Sequence, residues 1–264
     1  MQYTSHMFDL TTRSIILIIG IAIFFAAETF FPLREHIEEG RVQHMGRNVL
    51  FTLINFVLLG IAYGSAAPSI VYSTQHRNWG FFNQVTWPYW LETVAILLLL
   101  DLALYLWHIA NHHLPILWRF HRVHHSDHLL DFTSATRFHV GELALSAVIR
   151  LGFVLLLGID LFQLFLFELL VLLCAQFNHA NWQLPKPIEV VLRLFIVTPS
   201  MHQVHHSQKV AETNSNYTTT ISIWDRLFGT YKNVDTTKIK LGLQEYSTKK
   251  SVSLKSILTM PFRK

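Results

Sequence analysis

Sixteen histidines stand in this chain of 264 residues, and twelve of them fall between residues 108 and 206. His108 and His112 stand four apart, with His113 adjacent. His121, His124 and His125 form one H-x-x-H-H unit, and His202, His205 and His206 form a second. On a helix, positions i, i+3 and i+4 share a face, so each unit presents three imidazoles to one side. Imidazole is the commonest metal-ligating side chain. A lone H-x-x-x-H arises by chance on a wet helix. Two H-x-x-H-H units and an H-x-x-x-H in one small chain point to metal instead of a surface or pH-sensing cluster. These eight imidazoles exceed the roughly four ligands of one zinc ion, so they predict two metal ions. His179 and His139 bring the candidate set to ten. Imidazole suits Fe, Zn, Cu and Ni, and ligand type alone does not choose among them. His6, His36, His44 and His76 lack the spacing and read as polar-loop residues.

Other polar residues fall in register with these ligands. Asp101, Tyr105, His108 and His112 make one helical stripe, so Asp101 and Tyr105 are expected to orient the groups that in turn back the imidazoles. The alternative is a stripe that only packs inside a bundle. Glu142, near His139, is expected to hold a ligand imidazole in one tautomer. Glu168, Gln176 and His179 make a similar stripe.

The elements that position these residues are apolar. Hydrophobic residues make up 51% of the chain and charged ones 14%, and the mean hydropathy is +0.33. That excludes a disordered chain. The single Cys excludes a disulfide scaffold, a thiolate zinc finger and a Cys-held iron–sulfur cluster. Ser14–Phe31, Val49–Tyr72 and Leu91–Trp107 read as spanning segments for a hydrocarbon core of about 30 Å. Residues 1–13 have no compact basic region and no cleavage site follows, so the first segment reads as retained. Leu143–Phe177 would measure about 52 Å as one helix, too long for an ordinary span. Gly158-Ile159-Asp160 permits a turn, which predicts a hairpin of 143–157 and 161–177. The hairpin is also required if His179 and His202–His206 are to return to the side of His108–His125. Beyond Pro185 and Pro187, residues 188–197 are expected to form a short interfacial helix. Thr198 and Pro199 read as N-cap and first residue of the helix bearing His202.

Arginines in the 32–48 and 114–142 loops outnumber the lone Arg77 of the 73–90 loop, which puts the histidines in the cytoplasm and the N-terminus outside. Residues 236–264 carry seven basic residues and one acid, whereas the formal net charge of the whole chain is +4. The basic excess is therefore a tail, suited to anionic lipid headgroups more than to nucleic acid. The expected fold is all-α: an integral membrane helical bundle of three spanning segments plus a helical hairpin, with a cytoplasmic His-rich helical cap. It divides into N-terminal transmembrane segments (1–90), a His-box region (91–232) and a basic C-terminal tail (233–264).

The segments DLALYLWHIANHHLPILWRFHRVHHSD, TRFHVGE, FNHANWQLP and TPSMHQVHHSQKVAETNSNYTTTISIWDRLFGTY together resemble the fatty acid hydroxylase/sterol desaturase superfamily over residues 91–232. The resemblance implies an integral-membrane enzyme with a non-haem di-iron centre held by His boxes on the cytoplasmic side. Such enzymes hydroxylate or desaturate lipid C–H bonds with O2 and external electrons. It assigns His108 and His112 (in place of His113) to the first box, His121, His124 and His125 to the second, and His202, His205 and His206 to the last. His179 matches an additional ligand position, where Ala175 replaces the second His often found there. His139 lies in a segment that lacks the usual Pro. The implied cofactor is two Fe ions, with Zn as a substitute on isolation. The implied partners are a lipid substrate (sterol, fatty acyl, sphingolipid or alkylglycerol), O2 and an electron donor, in a bacterial inner membrane or the endoplasmic reticulum. The donor would be a ferredoxin, a rubredoxin or a b-type cytochrome with its reductase; Arg119, Arg122 and Lys209 beside the His boxes are read either as docking an acidic donor or as positive-inside anchors. Two other readings fit the histidines: a membrane-embedded metal-dependent hydrolase using activated water, and a divalent-metal transporter. A transporter would place its ligands near mid-bilayer, whereas these lie at helix ends.

Overall fold

Among the described residues five helices carry the apolar segments, and the ends of two of them, with two shorter helices, frame the histidines. The structure is a computed structural model and describes residues 10–34, 40–246 and 253–263. The helices are α1 (Leu10–Phe30), α2 (Arg41–Tyr63), α3 (Ala66–His76), α4 (Tyr89–His113), α5 (Pro115–His125), α6 (Val140–Leu157) and α7 (Leu161–His179). Shorter helices follow: α8 (Lys186–Leu192), α9 (Pro199–His205), α10 (Val210–Thr213), α11 (Ile223–Leu227) and α12 (Leu254–Thr259). Among the described residues every regular element is helical. Thr11–Phe30, Arg41–Ala62, Tyr89–His113, Val140–Leu157 and Leu161–His179 are long and apolar enough to cross a membrane. The protein is an all-α integral membrane protein.

The expected hairpin is α6 and α7. Gly158 ends α6 in the left-handed region at φ 81°, where a side chain is strained. Asp160 then starts α7 with a capping box: its carboxylate accepts from Gln163 N (2.8 Å), and the Gln163 carbonyl accepts from Asp160 N (3.0 Å). The turn packs on the 77–84 loop so closely that a Cβ on Gly80 would meet Gly158 N at 2.1 Å. Val71, Phe82, Ile96, Leu100, Val154, Ile159, Leu164 and Phe167 form the core at this end. Trp79, Trp87 and Trp90 are exposed there, as expected of an interfacial aromatic belt.

The uncharged run Val49–Tyr72 is not one helix. The chain turns at Gly64–Ser65, and α3 starts afresh at Ala66. Pro68 is the reason: inside a continued α2 it would lose the bond to Gly64 O and clash with that carbonyl, whereas in the first turn of α3 its missing N–H is harmless.

The C-terminal segment is also more than a basic tail. Ile239 and Leu241 pack with Leu130 and Val204, and Tyr246, Ile257 and Met260 pack with Phe51 and Val123. Arg34 Nη1 donates to Ile239 O (2.9 Å), and Arg122 Nη2 donates to Arg263 O (2.9 Å). Apolar residues between its lysines pack it against α2, α5 and α9. Lys249, Lys250, Lys264, His6 and His36 lie outside the described residues.

Candidate metal centre

Four helix ends converge on one site. The last turns of α4 carry His108 and His112, the last turn of α5 carries His121, His124 and His125, and α7 ends on His179. Thr198 is the N-cap of α9 and Pro199 its first residue, as the sequence predicts, and α9 carries His202 and His205 with His206 as its C-cap. Nine of the ten candidate imidazoles gather into two groups. His108, His112, His121, His125 and His205 form one, and His124, His179, His202 and His206 form the other. Within each group the candidate ligand atoms lie within 4.8 Å of one another. His112, not His113, belongs to the first; His113 Nε2 lies 3.1 Å from the Tyr217 hydroxyl.

The hydrogen bonds fix the tautomers. His108 Nδ1 lies 2.5 Å from Tyr217 O, His205 Nδ1 2.8 Å from Ser215 O, and His179 Nδ1 2.8 Å from Ala175 O. A carbonyl only accepts, so each Nδ1 carries the proton and donates. The Nε2 of each neutral ring is then a bare lone pair. Yet His108 Nε2 lies 3.0 Å from both His205 Nε2 and His121 Nε2. His121 Nδ1 faces Glu142 Oε1 at 2.8 Å, which fixes its tautomer the same way. The Nε2 lone pairs of His108 and His205 therefore face each other with no proton to share, and His121 Nε2 lies beside that of His108. In the second group, His179 Nε2 lies 3.0 Å from both His124 Nε2 and His202 Nε2. The Nδ1 atoms of His124, His202 and His206 are buried without a partner among the described residues. Facing buried lone pairs are costly unless a cation sits among them. Burial, reinforced by neighbouring imidazoles, holds His124, His125, His202, His205 and His206 well below the usual imidazole range, so these rings are neutral and free to ligate. The donor set fits two metal ions that accept imidazole.

The structure places the remaining candidate residues around these two groups. His139 joins neither group. It is the N-cap of α6; its Nδ1 accepts from Gly141 N (3.0 Å), and its Nε2 donates to Leu258 O (3.2 Å), so both nitrogens are spent. Glu142, in the first turn of α6, reaches across to α5 and holds the His121 imidazole (2.8 Å). Asp101 and Tyr105 bond to no ligand imidazole. Asp101 accepts from Thr220 Oγ1 and from Trp224 Nε1 (2.8 Å), while the Tyr105 hydroxyl pairs with Thr230 Oγ1 (2.8 Å). Both hold the 217–230 segment, which in turn supplies the Tyr217 carbonyl to His108.

Two parts of the site were missed in sequence. Asp225 accepts from Tyr217 N (2.8 Å), Thr218 N (3.0 Å) and Thr230 Oγ1 (2.7 Å), and so aims the 217 carbonyl. His44, read as a loop residue, is buried in α2. Its Nδ1 lies 2.6 Å from Asp131 Oδ2 and its Nε2 2.8 Å from Asp127 Oδ1. Buried Arg137 completes this network through Asn48 Oδ1 (3.2 Å) and Ser126 Oγ (3.0 Å), fixing the end of α5 against α2. Among the proposed docking residues, Lys209 pairs with Glu212 at 3.1 Å, and Arg122 is bound to the tail carbonyls.

A cavity of about 530 Å³ opens beneath the histidines. His108, His121, His124, His179 and His202 line it at one end. Mostly apolar residues of α2, α4, α6 and α7 line the rest, with Thr52, Asn55, Asn111, Ser146, Arg150 and Glu168 among them. Phe138 stacks on His124 at 4.2 Å between ring centroids and forms part of its wall.

An apolar helical bundle whose ends gather nine imidazoles over an apolar cavity is the build of a membrane protein made to take metal. Residues 93–230, just over half of the chain, match the fatty acid hydroxylase family, and the chain belongs to that family. An ornithine lipid hydroxylase of Rhizobium tropici is 29% identical over 182 residues, covering 67% of this chain and 54% of that protein. An alkylglycerol monooxygenase of Danio rerio is 32% identical over 153 residues, 55% of this chain and 30% of that protein. A cholesterol 25-hydroxylase-like protein of Danio rerio is 32% identical over 145 residues, 53% of this chain and 55% of that protein. These matches span about half the relatives' own lengths or less. No solved structure matches the chain.

Proposed function

We propose that this protein is a membrane-bound oxidoreductase that inserts oxygen into a C–H bond of a lipid, using O2 and electrons from a separate donor. The observation that carries the reading is the set of facing Nε2 lone pairs at the mouth of an apolar cavity. Two iron ions would be held, one by His108, His112, His121, His125 and His205 and the other by His124, His179, His202 and His206. When bound, such a centre supplies the activation of O2 that an unactivated C–H bond needs. The chain's own residues do the rest. Glu142 and the carbonyls of Tyr217, Ser215 and Ala175 hold the Nδ1 protons, which keeps the ligating nitrogens turned inward. The apolar cavity holds the lipid chain beside the metal and excludes water, which suppresses side reactions. The family and the names of the relatives support a lipid hydroxylase over a hydrolase. The arginine distribution supports a cytoplasmic metal site. The donor proposed is a separate ferredoxin, rubredoxin or b-type cytochrome.

The test is metal analysis of purified protein joined to lipid profiling of cells with and without it. A lipid that gains one oxygen atom only under O2, together with about two iron per chain, is the expected result. Turnover without O2 or reductant would instead favour the hydrolase, and loss of two hydrogens would favour desaturation.

A further inference from the structure

The cavity contains one pair of charges far from the histidines. Arg150 Nη1 donates to Glu168 Oε1 at 2.9 Å, joining α6 to α7. Glu168 lies eleven residues before His179 on α7, which is about 16 Å along the helix. It therefore sits near the middle of a helix able to cross a membrane. Leu143, Ser146 and Ile149 of α6 and Val171, Leu172 and Ala175 of α7 line the same cavity.

An ion pair at this depth is expensive. If its purpose were only to bridge two helices, its polar atoms would be closed off and satisfied by protein. They are not: each side chain keeps 35% of its surface open. Among the described residues, no other group takes the remaining guanidinium donors or the second carboxylate oxygen. The pair thus presents N–H donors beside an acceptor oxygen, with no net charge. An anion would have to displace Glu168 from its only cation, and an alkane would leave both groups unsolvated. An alcohol does neither, because its oxygen accepts from Arg150 while its proton goes to Glu168.

We propose that Arg150 and Glu168 bind an uncharged hydroxyl group of the lipid substrate, holding it about 16 Å from the histidine cluster. The pair thereby selects hydroxyl-bearing lipids and sets which carbon reaches the metal. This rests on the reading of the cavity as the lipid site.

The test is equilibrium binding, which needs no turnover. Tritiated hexadecan-1-ol is bound to the purified full-length protein in detergent and displaced by unlabelled hexadecan-1-ol, hexadecane or palmitate. The alcohol should compete about tenfold better than the alkane and better than palmitate, as one charge-assisted hydrogen bond allows. The double variant Arg150→Met/Glu168→Leu should compete equally with alcohol and alkane. Glu168→Gln leaves an unpaired guanidinium and should shift the preference from alcohol to palmitate, a gain that a misfolded protein cannot show. No saturable binding, equal competition in the wild type, a wild-type preference for palmitate, or alcohol selectivity that survives the double variant would each overturn the proposal. If the iron reading alone is wrong, the binding selectivity persists. If only the selectivity is absent, O2-dependent oxygen gain persists and this proposal alone falls.

Discussion

His121 Nδ1 lies 2.8 Å from Glu142 Oε1, a contact between the last turn of α5 and the first turn of α6 with both groups buried. The carboxylate fixes the tautomer of a ring whose Nε2 lies between those of His108 (3.0 Å) and His125 (3.2 Å). Glu142→Leu should weaken metal binding about 10–100-fold, the usual cost of removing the group that orients a ligand imidazole. Glu142→Gln, whose carbonyl still accepts, should lose less. Metal retained per chain after dialysis against a graded chelator measures both.

His205 and His139 make opposite predictions although both stood in the sequence-derived ligand set. His205→Ala removes an Nε2 at 3.0 Å from that of His108 and should abolish metal retention and turnover together. His139→Ala removes only an N-cap and a bond to Leu258 O, so it should keep its metal and lose about 1 kcal/mol of stability. Elemental analysis and a melting curve on each variant separate the two roles. Equal metal loss in both variants would return His139 to the ligand set.

Eight of the nine gathered imidazoles were legible because helical spacing puts i, i+3 and i+4 on one face, and His179, which stands alone, was legible through the family resemblance. The hairpin was legible because Gly158 and Asp160 are strong local signals for a stop and a start. His139 misled because its segment matched a family motif, while its actual role depends on being one residue before α6. His44 was hidden because its partners, Asp127 and Asp131, lie more than eighty residues away. Pro68 was the one visible sign that Val49–Tyr72 is two helices, and uniform hydropathy masked it.

Asp225 acts on the site through the backbone. It accepts two N–H groups and a hydroxyl while itself wholly buried, and the residue it fixes, Tyr217, offers its carbonyl to His108 at 2.5 Å. Asp225→Ala leaves two buried N–H groups unpaired and should cost about 2–6 kcal/mol. Asp225→Asn keeps one acceptor and should cost less. Because the 217 carbonyl is no longer aimed, both variants should also retain less metal than their melting temperatures alone would suggest. Metal content measured well below each variant's melting point checks this. Full occupancy there would make Asp225 a folding residue only.

The cluster of His44, Arg137, Asp127 and Asp131 is a buried ionisable network behind the metal site. All four residues are at most 2% exposed, and Arg137 Nη1 stands 3.9 Å from Asp127 Oδ2. Removing one member strands a buried carboxylate, which costs about 3–5 kcal/mol. His44→Leu should therefore be among the most destabilising single changes outside the ligands. Its effect should fall first on α5, since Asp127 follows directly on the His124–His125 turn. Hydrogen exchange resolves the order: amides of α5 should lose protection before those of the α6–α7 hairpin tip, whose own core is separate. Uniform loss across both would mean that the cluster stabilises the bundle as a whole and has no particular hold on the metal-bearing helix.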